Sequence, residues 1–207
     1  EEIARCSMSV AACATMQALM GTKFLHMLGS EEVRRTFLVP ALRGEKIGAI
    51  CMTEPDAGSD LNSMRTTARR VTGGYRITGQ KMWITAAPEA DFFTVFALAG
   101  DERRLTIFLV ERDAEGMHIG KAIPKLGTRA VPTSEISFDD CFVPDDRRLS
   151  REEGDGEHHL RKLLGEIRIV TGALAVGGGR AAYEEALRYA RERRQFGKPI
   201  GQFQAIQ

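Results

Sequence analysis

Ile50-Cys51-Met52-Thr53-Glu54-Pro55-Asp56-Ala57-Gly58-Ser59-Asp60 is the stretch whose reading decides the fold. An apolar run ends at Thr53 and gives way at once to Pro, Gly, Ser and Asp, residues that favour turns. It reads as a strand that stops at a tight turn, with the Thr53 hydroxyl pointing out of the sheet. Two further runs stand behind it, Lys81-Met82-Trp83-Ile84-Thr85 and Arg193-Arg194-Gln195-Phe196-Gly197. Each alone is a strand or a helix end.

Three zones of different periodicity surround these runs. From Glu1 to about Gly44, Ile3, Val10, Ala14, Met16 and Leu19 recur near helical spacing among many Ala residues. Gly21 and Gly29 break this pattern, and Ser30 before Glu31-Glu32 has the chemistry of an N-cap. From Ile47 to about Pro144 short β-rich runs alternate with turns: 66–72, 75–84, 92–98, 105–111, 117–123 and 135–143. An acid-rich loop follows, and His158 to about Arg194 reads as one long helix. Gly177-Gly178-Gly179 in that helix predicts close approach of another backbone, since each helical Gly costs about 1 kcal/mol against Ala. No strand precedes these glycines and no Lys-Ser/Thr follows, so they are not a phosphate loop.

The 207 residues suffice for one large domain or two small ones. Lys plus Arg (29) balances Asp plus Glu (28), which leaves no net field for nucleic acid or an anionic membrane. No window approaches the ~18 apolar residues of a membrane span. The opening Glu1-Glu2-Ile3 is too acidic for a signal peptide. Cys6, Cys13, Cys51 and Cys141 form neither a CxxC pair nor metal-finger spacing, so reduced thiols in a cytoplasmic protein are expected. His158-His159 lacks an HxxxH partner and reads as a solvated pair, and no metal site is expected. The chain starts without Met and stops inside an apolar-patterned element at Gln204-Ala205-Ile206-Gln207, which reads as an internal piece of a longer protein.

Taken in this order, the three runs and the three zones resemble the acyl-CoA dehydrogenases over nearly the whole chain. The resemblance implies an α+β fold in which helices flank an antiparallel β-sandwich or barrel domain. Residues 1–45 would end the N-terminal helical domain, 46–148 form the middle β domain and 149–207 begin the C-terminal helical bundle. It implies FAD as cofactor and an acyl-CoA thioester as substrate in fatty acid metabolism, dehydrogenated at its α and β carbons with hydride passing to flavin N5. Ile50, Met52 and Thr53 then bond the isoalloxazine edge, Trp83 covers one face, and Ile84 and Thr85 complete the edge. Arg193, Gln195, Phe196 and Gln204 reach the FAD of a neighbouring subunit, where an Arg fork suits a pyrophosphate. Such sharing implies a homodimer at least, commonly a homotetramer, with an electron-transfer flavoprotein as the usual redox partner. Ser59 and Arg168 fall to the acyl-CoA.

Simpler readings stand beside these. Thr53 and Ser59 are turn residues, Trp83 is core, Arg193 complements a helix dipole, and Arg168 pairs with Glu166 or an acid of another helix. The chain also departs from the family pattern. Ala86-Ala87 replaces Asn-Gly, Glu157 replaces an aromatic, and Gly165 replaces the Asp of medium-chain enzymes. Ile167 stands where long-chain and isovaleryl types carry a catalytic Glu, and the family's usual base lies in a last helical part this chain does not contain. No catalytic residue is therefore assigned, and the fragment alone is expected to be inactive. A flavin oxidase or monooxygenase of the same fold and a non-catalytic acyl-binding or oligomerising homologue are the alternatives.

Overall fold

The computed structural model describes residues 1–207. The first zone is helical, but no single stripe runs through it. Helix α1 (Glu2–Cys6) stops at Ser7, whose extended backbone and side chain start α2 (Met8–Thr15). A π turn (Met16–Gly21) leads to α3 (Lys23–Leu28); Ser30 then caps α4 (Glu31–Val33), its hydroxyl accepting from the Val33 amide at 3.2 Å. A second π turn (Arg34–Leu38) runs into α5 (Val39–Leu42). The break at Ser7 and the extra residue per π turn rotate the apolar phase. Ile3, Val10 and Ala14 consequently face outward, while Ala4, Ala11, Phe24, Leu25 and Phe37 are buried.

Seven strands form one curled sheet: β1 (Gly48–Cys51), β2 (Thr67–Val71), β3 (Gly74–Thr85), β4 (Phe92–Ala99), β5 (Arg104–Glu111), β6 (Met117–Ile119) and β7 (Thr133–Pro144). Their order is β1-β4-β2-β3-β7-β6, with β5 also on β4. The sheet is mixed rather than wholly antiparallel, because β1 and β2 both run parallel to β4. Parallel neighbours need a crossover. Here residues 52–66, the signature turn, swing out between two strands that share one edge of β4. Strand β6 ends at Ile119, short of the expected 123, although Gly120 and Ile123 still donate to β7 at 2.9 and 2.8 Å.

Strand β4 reads as an unbroken apolar run because both its faces are buried. Phe93, Val95, Ala97 and Ala99 enter the core inside the curl, while Phe92 and Phe96 enter a second core under the helices. Phe24 on Phe96 and Phe37 on Phe92, edge to face with centroids 5.4 and 5.5 Å apart, dock the N-terminal helices there.

Helix α6 (Gly156–Glu192) is continuous for 37 residues, about 55 Å at 1.5 Å per residue. Its start is held on the sheet by the Gly154 amide donating to Thr106 Oγ1 (3.0 Å) and by the Tyr75 hydroxyl donating to Glu153 (2.8 Å). Of the three consecutive glycines only Gly177 meets another backbone. A Cβ there would lie 2.3 Å from the Glu1 carbonyl oxygen, whereas one at Gly179 would meet nothing within 4 Å. Gly177→Ala is therefore expected to lose about 1–3 kcal/mol by displacing α1. Gly179→Ala should gain up to about 1 kcal/mol of helix propensity. Denaturant unfolding of the two variants checks the pair. Beyond α6, β8 (Arg194–Gln195) and β9 (Lys198–Pro199) form a small hairpin.

Candidate functional site

The signature turn is built on a buried ion pair. Lys81, with no solvent exposure, donates from Nζ to Glu54 Oε1 at 2.9 Å and to the Met52 carbonyl at 3.2 Å. Glu54 also accepts the Thr66 amide (3.0 Å) and the Arg65 amide (2.7 Å), closing the far end of the excursion. Burial pushes the Glu54 carboxyl up, but hydrogen bonds from Lys81 and Thr66 and the Lys81 charge outweigh it and leave it below its ordinary value. Burial likewise pulls the Lys81 ammonium down, with Glu54 opposing. Neighbouring Cys51 is an inert core thiol, its pKa pushed up to about 12 by burial.

The register of β3 explains the next step. Ile77 faces Cys141 and Lys81 faces Ile136, but Ile84 faces Ser134, so one extra β3 residue is accommodated between Lys81 and Ile84. Trp83 sits in this bulge at φ 61° with 54% of its surface exposed. A large residue at positive φ is strained, and its indole is not core. The Met82 amide donates to the Thr53 carbonyl at 2.8 Å and brings the signature turn alongside.

Trp83, Thr53, Thr85, Ile50, Ile84 and Met52 thus meet in one trough. Met16 and Met20 of the first π turn close its other side, and Gln17 fixes that turn by accepting the Gly48 amide (3.1 Å) and donating to the Lys46 carbonyl (3.0 Å). Met16 and Thr85 also line an adjoining pocket of about 320 Å³ that reaches Thr171 and Leu174 of α6. Neither Thr53 nor Thr85 makes a side-chain hydrogen bond within the chain. An open indole, two free hydroxyls and thioether walls fit a planar heteroaromatic group with a polar edge.

Ser59 is exposed and lines a separate cleft of about 680 Å³ with Arg103, Arg161 and Leu164. Arg168 lines neither opening; on α6 it falls four residues after Leu164 of the cleft and three before Thr171 of the adjoining pocket, on the same helical face. It is exposed and forms no ion pair; Glu166 bonds Lys23 at 2.8 Å instead. Ile167 is packed into the core beneath. His159, expected in solvent, stands 3.5 Å from Asp155 at the start of α6, while His158 is exposed.

Arg193, Gln195, Phe196 and Gln204 are not brought to the trough. Arg193 is about 28 Å further along α6 than Leu174 at 1.5 Å per residue. Phe196 and Gly197 occupy the hairpin turn at φ 50° and 77°, and the Phe196 ring is 93% exposed. Two successive positive φ values are what a two-residue hairpin turn between Gln195 and Lys198 requires, and they leave the Phe196 ring uncovered.

Residues 49–141 match the acyl-CoA dehydrogenase middle domain and residues 154–207 the acyl-CoA dehydrogenase C-terminal domain. The chain belongs to the acyl-CoA dehydrogenase family. It is 65% identical over its whole length to the benzylmalonyl-CoA dehydrogenase of Aromatoleum aromaticum, covering 55% of that protein. The structure of glutaryl-coenzyme A dehydrogenase in complex with glutaryl-CoA superposes at TM-score 0.92 and 34% identity, over 98% of this chain and 52% of that one. The FAD complex of PigA superposes at 0.88 and 35% identity, over 95% and 52%. The chain spans about half the length of the relatives it matches.

Proposed function

We propose that this chain supplies the cofactor- and thioester-facing part of an FAD-dependent acyl-CoA dehydrogenase whose substrate carries an aryl group and a second carboxylate. The observation that carries the reading is the strained, half-open Trp83 beside the unpartnered hydroxyls of Thr53 and Thr85. FAD held there would supply the acceptor for the hydride leaving the substrate β-carbon. Thr53 and Thr85 would hold its polar edge, backbone groups near Ile50, Met52 and Ile84 would line that edge, and Trp83 would cover a face. Met16 and Met20 form an adaptable apolar wall that excludes water from the acyl end. Ser59 binds along the thioester's cleft. Buried, aliphatic Ile167 cannot take the α-proton, so no catalytic residue is assigned to these residues.

The aryl and carboxylate features rest on the 65% identity to a protein named for benzylmalonyl-CoA. Arg168 is the matching counter-charge, since it is exposed, unpaired and shares an α6 face with Leu164 and Thr171, which line the two openings. Arg168→Gln is expected to raise KM for benzylmalonyl-CoA about tenfold or more, the worth of a charged hydrogen bond. KM for 3-phenylpropanoyl-CoA, which lacks the second carboxylate, should barely move. Equal shifts in steady-state kinetics would remove Arg168 from carboxylate recognition.

The distance from the trough to the Arg193–Phe196 hairpin supports a homodimer or homotetramer. In it Arg193, Gln195, Phe196 and Gln204 serve the cofactor of a second copy. We further infer an electron-transfer flavoprotein as acceptor, a cytoplasmic location, and three units at 1–45, 46–148 and 149–207. No helix is long and apolar enough to cross a membrane.

A further inference from the structure

The Lys81–Glu54 pair reaches each component of the site at once. Through Lys81 Nζ it holds the Met52 carbonyl, one residue from Thr53. Lys81 is the last residue of β3 in regular register before the bulge that turns Trp83 outward. Through its two carboxylate oxygens Glu54 holds the Thr66 and Arg65 amides, so the Ser59 turn is tied at both its ends. Glu54 also exchanges backbone hydrogen bonds with Ala57, 2.9 Å outward and 3.2 Å back, which fixes the turn itself. A buried ion pair contributes little net stability compared with apolar residues of similar volume, so stability alone does not account for it here. We propose that Lys81 and Glu54 are positioning residues that lock the cofactor edge at Thr53, the Trp83 face and the substrate-side Ser59 turn into one register. Removing the pair as a unit frees these three elements from one another even when the core is refilled.

This rests on the flavin reading above, and its test separates the two. Full-length wild type, K81M, E54D and the double variant E54Q/K81M are compared by circular dichroism, FAD dissociation constant and the visible spectrum of the bound flavin. Wild type must bind flavin; if it does not, the flavin reading itself falls. With flavin bound, the double variant is expected to fold yet bind FAD at least tenfold more weakly, with a broadened, less structured flavin band. E54D keeps both charges but shortens the reach by one methylene, and is expected to show a smaller change of the same kind. A folded double variant with wild-type affinity and spectrum would reduce the pair to a core ion pair. Failure of all three variants to fold would make it a folding element, and either result overturns the proposal.

Discussion

Lys81→Met is expected to cost about 3–5 kcal/mol of folding stability, because it strands the Glu54 carboxylate in the core without its cation. The double change to E54Q/K81M should recover a large part of that loss, since it leaves no uncompensated charge. Guanidinium unfolding of the single and double variants measures both. The same pair contributes to the acid limb. The Glu54 carboxyl is more acidic folded than its ordinary 4.5, so the unfolded chain takes up the proton first as pH falls. Its contribution is therefore complete above about pH 4.5 and is lost as pH drops through the lower folded value. Glu54→Gln should flatten that limb in unfolding curves between neutral pH and pH 3.

Trp83→Gly separates stability from function. The indole is more than half exposed at φ 61°, a conformation in which glycine carries no strain. Relief of about 1–3 kcal/mol of backbone strain offsets the partial burial that is lost. Stability is expected to stay within about 1 kcal/mol of wild type. Cofactor binding should not survive as well if, as proposed, the ring forms one wall of the flavin site. Lost area and aromatic contact together amount to about 2–3 kcal/mol, roughly 30- to 150-fold in FAD affinity. Isothermal titration with FAD and a thermal melt report the two effects independently. A variant that lost stability but kept affinity would return Trp83 to an ordinary structural role.

Much of this site is written in local sequence. The strand-to-turn change at Thr53, the apolar run of β4 and the cap at Ser30 are each decided by nearest neighbours, and they stand where local chemistry puts them. What sequence reading missed depends on pairing between distant residues. The alternation from Tyr75 through Ile77 and Gly79 places Lys81 on the buried face, but a lysine is credible there only once Glu54 is known to meet it. The parallel placement of β1 and β2 follows from a crossover whose direction no local residue encodes. Met16 and Met20 entered the trough through a π turn, which leaves no periodic trace in an Ala-rich segment. Gly177 shows the same limit: composition predicted a close approach, and only the position of Glu1 tells which glycine makes it.

The most direct measurement is an anaerobic visible titration of the full-length flavin-loaded protein with benzylmalonyl-CoA and uncharged thioesters. A bound flavin is expected whose band bleaches with the dicarboxylic aryl thioester at far lower concentration than with the others. A flavin that stays oxidised with every thioester, or a protein that takes up no FAD, would contradict the proposed function.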